Sequence, residues 1–171
     1  MGTEPRDAGF DEYVAARSGW LRTVAFLLCA DWHRADDLVQ ECITKLYVHW
    51  PKARRAENLD GYARTVLVNT FLAEQRTGWW RRTVRRADLP ERPAAGPDRE
   101  SSLDLRRALE ALPPRQRAAV VLRYYCDLTV EQTAEVLGCS AGNVKSQTSR
   151  GLDALRRVLV PGPVAAPGGE A

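Results

Sequence analysis

Asn143, Lys145, Ser146, Ser149 and Arg150 fall within eight consecutive residues and together offer the chemistry of DNA recognition. Asn and Arg form paired hydrogen bonds to base edges, each pair worth about 1–3 kcal/mol of discrimination. Lys and Ser bind phosphate oxygens and fix register on the duplex. From Ala141 onward the stretch is polar and basic, with no acid before Asp153. The same residue types would also serve as the solvated face of an ordinary helical hairpin, so the elements around them must decide.

Those elements read as a helix-turn-helix over residues 129–157. Thr129 and Gln132 stand at capping-box spacing, which starts a helix at Val130. Thr133, Ala134 and Leu137 form its buried face, and small Ala134 lets a second helix come close. Gly138 suits the left-handed position that closes the first helix. Ser140 caps the second, whose inward face is Val144, Thr148, Leu152 and Leu155. In such a motif the second helix lies in the major groove.

The chain has 171 residues, 44% of them hydrophobic, enough for one domain or two small ones without staples. Its net charge is +3, unevenly spread. Residues 1–50 carry five basic and eight acidic side chains, and residues 51–92 carry ten basic and five acidic. An acidic front and a basic segment behind it imply two partners of different charge, the second a polyanion. The acidic N-terminus lacks a signal-peptide core and no apolar run reaches membrane-spanning length, so a cytoplasmic protein with no membrane partner is expected. Cys29, Cys42, Cys126 and Cys139 show no CxxC pair and read as reduced, buried small hydrophobes. Cys29 and His33 are four apart on a predicted helix, but two further metal ligands are wanting, so neither a metal nor a cofactor is expected.

The periodicity is helical throughout, giving an all-α fold. Helices are predicted at about Phe10–Leu28, at Arg34–His49 ended by Pro51, and at Leu59–Gln75, the last continuing through Trp79 and Trp80. The stretch 88–102, DLPERPAAGPDRESS, is rich in proline and polar residues and reads as a flexible linker. Its fifteen residues span about 50 Å when extended. Behind it, Ser101 or Ser102 caps a helix over Leu103–Leu112, and Pro114 opens another running to Cys126. The expected organisation is a disordered start (1–9), a helical domain (10–87), the linker (88–102), a helix-turn-helix domain (103–159) and a disordered tail (160–171).

The blocks DDLVQE (Asp36–Glu41), YARTVLVNTFL (Tyr62–Leu72), LPPRQR (Leu112–Arg117) and GNVKSQTSRGL (Gly142–Leu152) resemble, in order and spacing, the bacterial extracytoplasmic-function (ECF) sigma factors. The Trp79-Trp80 pair followed by Arg81-Arg82, and the short chain, are most similar to the SigE-like subfamily. The resemblance runs from about Phe10 to Leu159. It implies that the first half is sigma region 2, which docks on the clamp helices of core RNA polymerase and opens the promoter −10 element. The second half is then region 4, which binds the −35 element and the polymerase flap. Many relatives are held by an anti-sigma factor, which makes one a further candidate partner.

The residues accept these roles one by one. Asp37, Gln40, Glu41 and Thr44 lie at i, i+3, i+4 and i+7, one helix face, suited to a basic coiled-coil partner. The helix dipole alone would explain Asp36 and Asp37 but not Gln40 and Glu41. Asn69 matches the family's asparagine beside an extruded −10 base, whose edge an amide can both donate to and accept from. The polar loop Arg54–Leu59, with Asn58, matches the variable −10 specificity loop. Arg76, Trp79, Trp80, Arg81 and Arg82 combine phosphate-neutralising cations with indoles that either stack on unpaired bases or pack on the first helix. Lys145, Ser146, Ser149 and Arg150 match the −35 contacts, and Asn143 stands where the family often has Thr.

Two other classes of function compete. A stand-alone helix-turn-helix regulator would need a dimerisation element, and it leaves the DDLVQE block unexplained. An enzyme would need a phosphate-binding glycine loop, a nucleophile elbow or a metal-ligand cluster, none of which is visible beside His33 and His49.

Overall fold

In a computed structural model of the chain, residues 5–77 and 99–160 are described, and all their regular elements are helical. The first half holds α1 (Phe10–Cys29), α2 (Trp32–Val48), the single turn α3 (Trp50–Ala53) and α4 (Leu59–Thr77). The second holds α5 (Arg99–Glu110), α6 (Pro114–Val120) running into a π turn (Val121–Tyr125), α7 (Val130–Leu137) and α8 (Ala141–Leu159).

Local signals account for most of the boundaries. The side chain of Asp31 accepts hydrogen bonds from the backbone N–H groups of His33 and Arg34, so α2 starts at Trp32, two residues before the expected Arg34. It stops at Val48, and Pro51 opens the next turn instead of ending this helix. Asn58 Oδ1 accepts from Gly61 N at 2.9 Å at the start of α4. Helix α5 begins at Arg99, inside the stretch read as linker, so Ser101 and Ser102 lie within it and do not cap it. Residues 78–98 and 161–171, and with them most of the linker and the tail, lie outside the described residues, as do residues 1–4.

In the first half, α1, α2 and α4 pack as a bundle around Leu21, Leu28, Leu38, Leu46, Leu67 and Phe71, all fully buried. Polar ties fix their angles. Arg17 grips Asp60 through two hydrogen bonds of 3.0 and 2.6 Å, and Tyr13 donates to the same carboxylate at 2.9 Å. Lys45 Nζ donates to Thr70 Oγ1 at 3.0 Å, joining α2 to α4. Burial, then the hydrogen bond to Asp60, raises the pKa of Tyr13. Burial also pushes the thiols of Cys29 and Cys42 up to about 12.

The second half wraps α6 and α8 around one close contact. Gly151 is buried, and a Cβ built there would stand 2.6 Å from Val120 Cγ2 and 3.2 Å from the Gln116 carbonyl oxygen. Only a residue without a side chain lets the two helices approach this far. The two halves also pack on each other. Ala118, Ala119, Val121, Leu122, Leu128 and Leu137 belong to the same apolar cluster as Leu28 and Phe71.

Candidate nucleic-acid interface

The helix-turn-helix is built by its caps. Gln132 N donates to Thr129 Oγ1 at 3.1 Å, and Thr129 N donates to Gln132 Oε1 at 2.9 Å, which completes the capping box. Gly138 closes α7 in the left-handed region at φ 63°. Ser140 Oγ then accepts from Asn143 N at 3.1 Å and starts α8. Thr133 and Leu137 of α7 are buried, as are Val144 and Thr148 of α8, while Ala134, Leu152 and Leu155 are half-buried. Asn143, Lys145, Ser146, Ser149 and Arg150 are all exposed along one helix.

Beside that face lies an open cleft of about 330 Å³, lined by Arg123, Tyr124, Lys145, Ser149 and Arg156 among others. The reading of the motif missed Arg123, Tyr124 and Arg156, because they flank it. The π turn presents the first two: Cys126 N donates to Val121 O at 3.0 Å, five residues back, and Leu128 N reaches Leu122 O. Arg123 donates to the Leu128 carbonyl, which fixes the entry to α7. Asp127 takes a left-handed φ of 55° in the same turn.

A second surface runs along α2. Asp37, Gln40, Glu41 and Thr44 are exposed on one face, and Tyr47 and Val48 continue it. Glu41 pairs with Lys45 at 3.1 Å, and Thr44 Oγ1 donates to the Gln40 carbonyl at 2.9 Å. At the other end of this helix, Arg22 binds Asp36 at 2.6 Å and sits over the Trp32 ring, which stacks on Phe26 with centroids 4.0 Å apart. Asp36 is thus committed to α1, apart from the stripe formed by Asp37, Gln40, Glu41 and Thr44.

The third group gathers around α4. Asn69 and Arg76 are exposed on this helix, and Asn58 is exposed just before it. Asn58 already caps α4 with its side-chain oxygen, so only its amide N–H groups remain for a ligand. Trp79, Trp80, Arg81 and Arg82 lie outside the described residues. Among the described residues, no group of three or more His, Cys, Asp or Glu side chains stands ready for a metal. Nor is any helix there long and apolar enough to cross a membrane.

A helical chain with a capped helix-turn-helix in one half, an acidic helix face in the other, and no metal cluster among the described residues has the form of a DNA-binding transcription factor with a second docking surface. Comparison with known proteins narrows the class. Residues 13–81 match the family model described as sigma-70 region 2, and residues 102–155 the one described as sigma-70, region 4. The chain is 38% identical over 160 residues to the RNA polymerase sigma-E factor of Streptomyces coelicolor, covering 88% of this chain and 86% of that one. It is 32% identical to the ECF RNA polymerase sigma factor EcfG of Rhodopseudomonas palustris, covering 87% of this chain and 83% of that one. In structure it is similar to the sigma factor RpoE of Bartonella quintana, solved in complex with the anti-sigma factor NepR. The TM-score is 0.69 at 28% identity, over 88% of this chain and 96% of that chain, a coverage that includes both halves. The chain belongs to the ECF sigma factors of the sigma-70 family. It is a sigma factor that binds core RNA polymerase and directs promoter recognition, and nothing favours a stand-alone regulator.

Proposed function

We propose a division of labour among the three surfaces. The α2 stripe of Asp37, Gln40, Glu41 and Thr44 docks on the clamp helices of core polymerase. Its acid and amide groups, exposed on one face, suit a basic coiled coil through charge-assisted hydrogen bonds. Asn69, Asn58 and Arg76, with Trp79, Trp80, Arg81 and Arg82, receive the opened −10 strand. The outward face of α8, with Asn143, Lys145, Ser146, Ser149 and Arg150, reads the −35 element from the major groove. Arg123 and Arg156, across the adjoining cleft, add phosphate contacts on its flank.

The capped and closely packed helix-turn-helix carries this reading, since its five outward polar residues share one exposed face. The protein performs no bond chemistry of its own. It helps melt DNA by binding the open strand better than the duplex, and it works in the cytoplasm, where the polymerase is. The arrangement shared with the NepR-bound neighbour supports an anti-sigma factor as a further partner.

The test is in vitro transcription on a randomised promoter library, using bacterial core polymerase with and without the protein. Starts that appear only with the protein, and that share a −35 and a −10 motif, are the expected result. Duplex binding without core, and no such starts, would reverse the reading.

A further inference from the structure

Arg117 lies in the second half, yet its guanidinium is buried against the first. Its Nη1 donates to the Leu28 carbonyl at 2.7 Å, and its Nη2 to the Leu112 carbonyl of its own half at 2.9 Å. Leu28 is in the last turn of α1, where helical carbonyls lack partners and the dipole is negative. No basic residue of α1 occupies that turn. The cation that completes α1 therefore comes from the other half of the chain. Around it, α6 and α7 pack on α1 and α4, with Ala118, Ala119, Leu122 and Leu137 in the common core. Arg64 of α4 lies close enough to Cys126 for its charge to oppose the effect of burial on that thiol.

Distance gives this contact a consequence. Elements named −35 and −10 lie about 25 base pairs apart, roughly 85 Å at about 3.4 Å per base pair. A compact chain of this length has a radius of gyration of about 16 Å, hence a diameter near 40 Å. The packed chain cannot reach both elements, although both candidate surfaces are exposed in it. The contact thus acts on the span between the surfaces and not on access to either.

We propose that Arg117 and the α6–α7 face form an intramolecular latch that holds the sigma factor closed and inactive until polymerase binding pulls the halves apart. This rests on the reading that the chain serves two promoter elements at once. The closed population lowers the apparent affinity for polymerase by the fraction that is open, and weakening the latch removes that handicap.

Small-angle scattering of the full chain tests it, paired with core-polymerase affinity. The wild type should scatter near about 16 Å, against about 24 Å for two tethered halves. Arg117→Glu places a carboxylate against the α1 carbonyls. It should move the radius towards the larger value and tighten core binding about tenfold, the scale of one charged hydrogen bond. An open wild type overturns the latch. So does a folded Arg117→Glu that leaves both readouts unchanged, or one that opens without tighter core binding. If circular dichroism shows that Arg117→Glu has lost helix, Arg117→Lys, with no fork to bridge two carbonyls, is read by the same criteria. A compact wild type, opened by the variant but with no core binding in either, would sink the functional reading and not the closed geometry.

Discussion

Gly151→Ala should destabilise the protein although it replaces glycine by the best helix former. In an open helix this exchange stabilises by about 1 kcal/mol. At Gly151 the new methyl would stand 2.6 Å from Val120 Cγ2 and 3.2 Å from the Gln116 carbonyl oxygen. Val120 is β-branched, on a helix and buried, so its side chain has one favourable rotamer and little room to turn away. The Gln116 oxygen belongs to the backbone of α6 and yields only if the helix moves. Overpacking of this kind costs about 1–3 kcal/mol, and two contacts put it near the top of that range. The net loss is then about 1–2 kcal/mol, or a fall in Tm of about 2–8 °C for a chain this long. Gly19 is the internal control. It is exposed in α1 with nothing within 4 Å of its would-be Cβ, so Gly19→Ala should raise Tm by about 2–4 °C. Thermal unfolding followed by circular dichroism measures both. If Gly151→Ala stabilises as much as Gly19→Ala, the close approach of α6 and α8 is wrong, and so is the placement of the recognition face.

Glu41→Arg should abolish co-elution with core polymerase while leaving Tm almost unchanged, because the exposed pair with Lys45 is worth only about 0.3–0.5 kcal/mol; undiminished co-elution removes the α2 face. Arg150→Ala should weaken −35-dependent initiation by about 1–3 kcal/mol and relax preference at one base position. A loss equal across all promoters would make it a phosphate contact instead. Stability should fall as pH rises above about 9, since unfolded thiols ionise near 9.0 whereas those of Cys29 and Cys42 are held at about 12. The loss should run at up to about 1.4 kcal/mol per pH unit for each thiol. A paired Cys29→Ala and Cys42→Ala variant whose urea midpoint declines as steeply would refute that origin.

The helix-turn-helix was legible because its determinants are local. Thr129, Gln132, Gly138 and Ser140 act within three or four residues of themselves, and Val144 and Thr148 keep helical period. The α2 stripe was legible for the same reason. What escaped depends on residues far apart in the chain. Asp60 reads as a first-turn acid, and nothing near it announces Arg17 or Tyr13. Arg117 reads as one more exposed cation in LPPRQR, because the α1 carbonyl it meets is 89 residues away. The start of α2 at Trp32 was missed because Asp31 was not weighed as a cap. Asn58 was read for its ligand chemistry, and its work at the start of α4 was overlooked. The π turn has no sequence signal at all, since VLRYY suits an α-helix equally well.

That turn also limits how the chain can vary in length. A π turn holds one residue more than the α turn it replaces, and one residue advances an α-helix by about 100°. Losing a single residue between Val121 and Tyr125 would restore regular winding and swing everything after it by about that angle. Leu122 and Leu128 would no longer face the same neighbours, and α8 would meet the duplex on a different side. Point substitutions there change one contact, whereas a one-codon deletion re-aims the whole reading head. Descendants of this chain should therefore keep the spacing between LPPRQR and Thr129 more strictly than the residues that fill it.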